Sequence, residues 1–361
     1  MISLASILRL RPSVAMVPMG GEKWQFFQGN TRRSRVFKLQ PELATAVLAL
    51  NGLNSLDSAA RLSSSDPQQF LELAKALHEG CLLEAANVAE SVAQSPWRRV
   101  LNFIGDYIPS DEVKEAFLRL RGKTVIILGV GGVGSWVAIE LCQSGFESFI
   151  LVDDDEVELS NLNRSLYSRL DVGRSKVDAL ADRMLTINPR VCVRGAKERL
   201  ADATVLAQLI ANIPGSGIVV NCADNPSVDA TSSIIDEACK STETPYVIAG
   251  GYNLHLSLIG MTVLPGRTAC YHCGRLTLEE LQGNDLIGMR KLARPWRNIG
   301  NLAPLAAITA SFAANEVIRL AISDSRVLPA MINRRGEFNF LSGEIHFVSL
   351  PPRRECGCIP S

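Results

Sequence analysis

The chain has 361 residues, 47% of them hydrophobic and 20% charged, which supplies a sizeable core and excludes a disordered polymer. Its 37 basic and 37 acidic residues cancel, so no global field favours nucleic acid or an anionic membrane. The opening MISLASILRLRPSVAM is interrupted by Arg9, Arg11 and Pro12, too broken for a membrane span and without a signal peptide's basic lead-in. The expectation is a cytoplasmic protein with no membrane and no nucleic-acid partner.

The length exceeds one typical domain. In residues 1–85, PSVAMVPMG, EKWQFFQGN and SRVFKLQ are β-type runs separated by Gly-Gly and Gly-Asn turn signals. The helical stretches PELATAVLALNG, SLDSAARL and DPQQFLELAKALHEG follow, each opening near Pro, Ser or Asp. Three strands followed by three helices predict an α+β unit of winged-helix character. Residues 86–120 predict a charged, mainly helical linker.

From residue 121 to 361 strands and helices alternate. KTVIILGVGGVG leads into SWVAIELCQSG, then ESFILVDDD, SKVDALADRMLTINP, VCVRG and DATVLAQLIANI. GIVVNCADN, VDATSSIIDEACK and PYVIAGG continue the pattern. This predicts an α/β, Rossmann-like, mostly parallel sheet with helices on both faces. LSLIGMTVLP and EFNFLSGEIHFVSL read as antiparallel additions.

Gly129, Gly131, Gly132 and Gly134 form GVGGVG between an apolar strand and a helix, where backbone N–H groups can approach phosphate. Alone, such a loop is most often read as NAD binding. Asp153 ends the next strand, where a ribose-binding acid belongs. Asp155, Asn161, Asn163 and Arg164 follow in LVDDDEVELSNLNR, leaving Asp154 as a solvated spacer. A dehydrogenase has no general need for that group. Amides and a guanidinium can hold phosphoryl oxygens, and an aspartate can help place Mg²⁺; the plainer alternative is a solvated loop. Lys176, in VGRSK, is a point charge within reach of phosphate or a surface lysine. Asp224 and Asn225 end the strand GIVVNCADN at the crevice edge. There an acid can hold Mg²⁺, or it can cap the next helix.

Five of nine cysteines, Cys81, Cys142, Cys192, Cys222 and Cys239, sit among apolar or helical neighbours and read as reduced core residues. Cys270 with Cys273 and Cys356 with Cys358 are two close pairs that can converge on one structural Zn²⁺ with four thiolates, or remain free thiols. His272, between the first two, reads as a bystander.

Together GxGGxG, D-x-D-x-V-E-x-S-N-L-N-R, V-G-x-x-K and a strand ending A-D-N resemble the ThiF/MoeB superfamily of ATP-dependent adenylating enzymes. GNLAPLAAITASFAANEVIRL also resembles that family's late helix. The resemblance implies that Asp153 binds ribose, that Asn161, Arg164 and Lys176 contact phosphates, and that Asp224, with Asp155, serves Mg²⁺. The catalytic set is then Arg164, Lys176, Asp224 and Asp155. It further implies a homodimer in which Arg98 or Arg99 reaches the partner's site. Ser165 stands where the family usually has glutamine, and the family's second CxxC is here a CxC.

The front unit resembles the PqqD-like domains that recognise leader peptides, where an open sheet edge suits strand addition. The alternative is a DNA-binding winged helix, to which the run TRRSR gives weight. The fusion resembles the microcin C and pantocin biosynthesis enzymes. That implies ATP-dependent activation of a carboxylate in a ribosomally made precursor peptide, in the pantocin type a glutamate side chain that is then condensed into a ring. Competing readings are a sulfur-carrier activator acting on a Gly-Gly tail, and a scaffold without chemistry.

Overall fold

The computed structural model describes residues 2–199, 202–253, 256–285 and 300–359. Contacts divide the chain into Met1–Leu118 and Arg119–Ser361, and each unit has its own core.

The first unit runs β1 (Ile7–Leu10), β2 (Val14–Gly20), β3 (Lys23–Gln28), β4 (Arg33–Lys38), α1 (Pro41–Leu48), β5 (Asn51–Ser55), α2 (Leu56–Leu62) and α3 (Pro67–Glu79). It continues through β6 (Leu83–Ala85), α4 (Ala86–Ala93), α5 (Arg98–Gly105) and α6 (Val113–Arg121), which crosses the division. The antiparallel sheet β2-β3-β4 and the three helices match the sequence expectation. A second antiparallel sheet, β5-β1-β6, was not legible. Its strands have only three to five residues, too few to show alternation. The Asn51-Gly52 pair, which ends a helix in the sequence reading, instead opens β5, with Gly52 at φ +82°. Local chemistry sets the helix starts as expected. Ser55 accepts from Ser58 N at the head of α2, and Asp66 accepts from Gln69 N at the head of α3. Their apolar faces enclose Phe26, Leu56, Phe70 and Leu77, all fully buried.

The second unit continues with β7 (Thr124–Leu128), α7 (Gly134–Gln143), β8 (Ser148–Val152), α8 (Lys176–Ile187), β9 (Cys192–Ala196), α9 (Ala203–Ala211), β10 (Gly217–Asn221) and α10 (Val228–Ser241). Then come β11 (Tyr246–Ile248), β12 (Gly250–Asn253), β13 (Leu256–Ile259), β14 (Thr262–Val263), α11 (Tyr271–Asp285), α12 (Ala303–Ile322), β15 (Arg334–Asn339) and β16 (Ile345–Ser349). The main sheet has the order β14-β11-β10-β7-β8-β9 and is parallel except at β14. Its central strands TVIIL and GIVVN are buried along their whole length, as strands covered on both faces must be. The antiparallel sheet β12-β13-β15-β16 supplies the predicted additions.

Strand order reverses at β7, which lies between β8 and β10, and this opens a crevice at the carboxyl ends of those strands. Among the described residues α12 is the one helix long and apolar enough to cross a membrane. It packs against α7 and β13, and ten of its twenty residues are buried. Cys192 departs from its expected place: β9 is the edge of the sheet, and the thiol there is exposed rather than in the core.

Phe26 is fully buried and meets Phe37 edge-on at 5.4 Å. Phe26→Ala should destabilise the first unit by about 3–5 kcal/mol, read from its denaturant midpoint. A loss under about 1 kcal/mol would mean that this ring is not central to the core.

Candidate functional site

A cavity of about 740 Å³ opens at the carboxyl ends of β7, β8 and β10. The glycine turn after β7 forms its floor, and two of its glycines, Gly129 and Gly134, are required for different reasons. Gly129 has φ +79°, and a Cβ there would stand 2.8 Å from Ala223 Cα. A Cβ on Gly134 would lie 1.9 Å from Gly129 O, so the helix can start only without one. At Gly131 a Cβ would meet nothing within 4 Å, so its absence widens the cavity rather than relieving a clash. Gly132 faces the aliphatic stem of Arg164, whose Cγ would lie 3.2 Å from a Cβ at that position.

Asp153 follows directly on β8, and its side chain is only 8% exposed. The carboxylate accepts from Val130 N at 2.7 Å and from Asp155 N at 3.0 Å. Burial raises its pKa, opposed by the nearby Lys176 ammonium and by those two N–H groups. Lys176 opens α8 with a side chain only 9% exposed, which removes the surface-lysine alternative. Its Nζ stands 2.6 Å from Asp155 Oδ2 and 3.7 Å from Asp153 Oδ1. The sequence reading missed Tyr167, whose buried hydroxyl sits 2.6 Å from Val130 O and 3.2 Å from Lys176 O. Burial holds that phenol well above its ordinary pKa, so it serves as a donor tying the glycine turn to α8.

The segment between β8 and α8 brings Asn161, Asn163 and Arg164 to the cavity wall. Asn161 Oδ1 accepts from Glu158 N at 3.0 Å, closing a short 3-10 turn over residues 159–161. Arg164 Nη1 donates to Ser160 O at 2.7 Å and to Asn163 Oδ1 at 3.1 Å. Trp136 Nε1, on α7, donates to Arg164 O at 3.0 Å and holds that backbone over the glycine turn. Ser165, at the family's glutamine position, turns inward and donates to Asn161 O at 2.7 Å. Asp154, expected as a solvated spacer, pairs with Arg199 at 3.4 Å.

Asp224 and Asn225 line the cavity from the β10 side, and both are exposed. Ser227, not Asp224, caps α10, accepting from Ala230 N. Ligand oxygens of Asp153, Asp154 and Asp155 lie within 4.8 Å of one another, and Asp224 stands outside that group. Asp155 and Asp224, the two carboxylates that the sequence reading assigned to one cation, line the same cavity. Asn301, just before α12, also lines the cavity, and neither amide atom has a hydrogen-bond partner among the described residues. A smaller cavity of about 170 Å³ shares Leu128, Val152, Glu198 and Arg199 with the first and is otherwise walled by Arg194 of β9, by α9 and by Asn212. Cys222 lines the main cavity, whereas Cys239 is in the core, and burial raises the pKa of both thiols well above the ordinary range. Burial thus disfavours the thiolate form of both. Arg98 and Arg99 open α5 in the first unit and are exposed.

At the far end of the second unit Cys270, Cys273, Cys356 and Cys358 converge, with all four sulfurs within 4.8 Å. The closest pairs are 3.5 Å (Cys270–Cys356 and Cys273–Cys358) and 3.8 Å (Cys270–Cys273). Four thiolates at about 2.3 Å around one tetrahedral ion would be about 3.8 Å apart. Gly357, at φ +63°, makes the turn that lets a CxC pair present both sulfurs to one point. Arg353 N points at Cys273 Sγ from 3.4 Å. The donor set fits a zinc ion. His272 lies outside it, with Nδ1 3.3 Å from Arg275 Nη2.

Residues 108–358 match the ThiF family. Ubiquitin-like modifier-activating enzyme 5 of Drosophila grimshawi is 30% identical over 281 residues, covering 74% of this chain and 65% of that protein. The chain thus spans about two thirds of that relative's length. The sulfur carrier protein ThiS adenylyltransferase of Escherichia coli (strain K12) is 28% identical over 242 residues, 66% of this chain and 86% of that protein. Among solved structures, E. coli MccB with ATP superposes with a TM-score of 0.75 at 20% identity, over 98% of this chain and 99% of that one. The microcin C7 biosynthetic enzyme MccB in complex with N-formylated MccA gives 0.75 at 20%, over 97% and 99%. The fold of the chain is the MccB fold.

Because Asp153's pKa is raised, its contribution to stability is full below about pH 3.9 and is lost as pH rises through its folded value. Asp153→Asn should remove that loss and flatten the stability profile of the ligand-free protein across mildly acidic pH. Thermal unfolding between about pH 4 and about pH 7 measures it; a slope equal to that of the wild type would count against the buried carboxylate as its source.

Proposed function

Because the chain belongs to the ThiF family, we propose that it adenylates a carboxylate of a ribosomally made precursor peptide, using ATP and Mg²⁺, in peptide-antibiotic biosynthesis. The observation that carries this reading is one cavity walled by a phosphate-type glycine turn, a buried Asp153, and the cations Lys176 and Arg164. The likeness to MccB, solved in complexes with ATP and with MccA, spans 97–98% of the chain and so takes in the front unit as well. The curated relatives span 66–74%.

In this reading the nucleotide's ribose meets Asp153, and its base enters the smaller cavity beside α9. The phosphates lie along the glycine turn toward Lys176, Arg164 and Asn161. A peptide carboxylate oxygen attacks the α-phosphorus, the bond to pyrophosphate breaks, and a mixed acyl-phosphate anhydride forms. Both reactants are anions, so the site's work is to neutralise and align them. Lys176 neutralises phosphate, Arg164 can swing from its own loop carbonyl to a phosphoryl oxygen, and Asp224 and Asp155 would hold Mg²⁺, which would supply further positive charge against the phosphates. Asn163 and Asn225 border the same space.

The front unit offers β4 as an open sheet edge bearing Arg33, Arg35 and Lys38, which suits a peptide added as a strand. A homodimer with Arg98 or Arg99 reaching across belongs to the same proposal. The four-cysteine knuckle would hold one structural Zn²⁺.

Pyrophosphate release with Mg-ATP and candidate precursor peptides, followed alongside peptide mass, tests the reading. A gain of an adenylyl group supports microcin-type transfer. Loss of water or carbon dioxide supports pantocin-type glutamate cyclisation. Turnover only with a Gly-Gly protein tail moves the assignment to a sulfur-carrier activator, and no turnover with any leader-bearing peptide overturns it. Lys176→Ala and Asp224→Ala should each lower the rate at least about 100-fold, with a thermal midpoint close to wild type for Asp224→Ala, whose side chain is exposed. Metal analysis should give one zinc per chain, lost in Cys358→Ser.

A further inference from the structure

We propose that Tyr271 is a positioning residue for the nucleotide site, transmitting the geometry of the four-cysteine knuckle to the first turn of α10. The inference rests on the ATP-binding reading and adds to it a residue far from any phosphate contact. Tyr271 directly follows Cys270 and precedes Cys273 by two residues, so its backbone is fixed by whatever holds those two thiols. Its hydroxyl donates to Asp229 Oδ1 at 2.5 Å. Its backbone N–H lies 3.2 Å from Tyr246 Oη and 3.4 Å from Asp236 Oδ1, and Tyr246 Oη donates to Asp236 Oδ1 at 2.5 Å. Both carboxylates stand on α10, Asp229 in its first turn and Asp236 two turns later. The knuckle therefore grips α10 at two heights, through side chains that a charge-assisted bond to phenol makes directional.

The same first turn is a wall of the cavity. Val228 and Thr231, on either side of Asp229, line it. Thr231 Oγ1 donates to Ala223 O at 2.9 Å and accepts from Asn221 Nδ2 at 3.1 Å, while Asn221 Oδ1 accepts from Ala223 N at 3.1 Å. Residues 221–231, which carry Asp224 and Asn225, are thus held from within by Asn221 and Thr231 and from the knuckle side by Tyr271. Asp224 is exposed, and Ser227 supplies the helix cap, so Asp224's placement follows from where this turn sits. Tyr271 itself is only 9% exposed and packs in the hydrophobic cluster under β10 and β11. Removing its hydroxyl leaves that packing in place and releases the hold on Asp229, together with the bond to Ser232 on the same helix.

The test is Tyr271→Phe in the full chain, with three readouts: zinc content, thermal midpoint, and affinity for a fluorescent N-methylanthraniloyl-ATP in the presence of Mg²⁺. Zinc should be retained and the nucleotide affinity should fall about three- to tenfold, a change that the ring's packing role alone would not produce. Asp229→Asn should weaken affinity similarly, and the double variant should be no weaker than either single one. Affinity within about twofold of wild type in a zinc-loaded Tyr271→Phe protein overturns the inference, as do additive losses in the double variant. Should Tyr271→Phe not fold, Asp229→Asn alone decides by the same threshold. A wild-type protein that fails to bind the nucleotide overturns the ATP reading instead, so the two failures are distinguishable.

Discussion

The second unit's site is organised around one buried carboxylate. Asp153 sits at the end of β8, where water is scarce, and two backbone N–H groups and a buried ammonium surround it. A carboxylate in such a place is unfavourable unless its oxygens are occupied. Satisfying it fixes three pieces of chain at once. Val130 N draws the glycine turn toward β8, Asp155 N folds the following loop back, and Lys176 draws in the start of α8. Tyr167 closes the same circuit from the other side, bridging the Val130 and Lys176 carbonyls. The cavity is the space these segments leave when they converge on Asp153.

A site built this way needs a stiff frame. β7 supplies it, buried on both faces and paired in register with β8 and β10, so the glycine turn and the Asp224 loop start from adjacent, parallel strand ends. Gly129 makes the closest approach between them, with the Ala223 backbone occupying the space a side chain would need. Behind the sheet, α12 packs against α7 and holds the helix whose N-terminus faces the cavity. At the sheet's other end the cysteine knuckle and Tyr246 fix α10. The catalytic edge is thus restrained from the strand side by the sheet and from the helix side by two separate contacts.

Sequence carried this frame well because each central strand is a continuous apolar run and the segments between strands are long enough for a crossover helix. The glycine spacing and the acids, amides and arginine after β8 carried most of the cavity wall, since they are contiguous in the chain. What failed to show was non-local. β1, β5 and β6 are too short to announce themselves and exist only because they pair with one another. Tyr167 and Arg199 reach the site through folding, with no local pattern to mark them. Cys192 read as core from its apolar neighbours, yet it lies on the edge strand, which sequence order alone does not reveal. The helix α11 begins inside a cysteine pair, where a metal-type motif masked a helix start.

The acids after β8 bear on how charge is handled. Three carboxylates crowd one corner of the cavity, with Lys176 on Asp155 and Arg199 on Asp154. One negative charge there is left without a cationic partner of its own. A triphosphate entering alone would add to it and compete with Asp155 for the single positive charge of Lys176. A divalent cation changes the balance. Asp155 would hold such an ion, which would supply positive charge to the acidic corner and leave Lys176 available to phosphate. On the proposed reading, cation and nucleotide therefore favour each other's binding, and the Lys176–Asp155 pair is the contact exchanged when they arrive. Asp224, which lines the same cavity outside the acidic group, would be a further carboxylate to hold that ion, and its placement depends on how firmly the first turn of α10 is held.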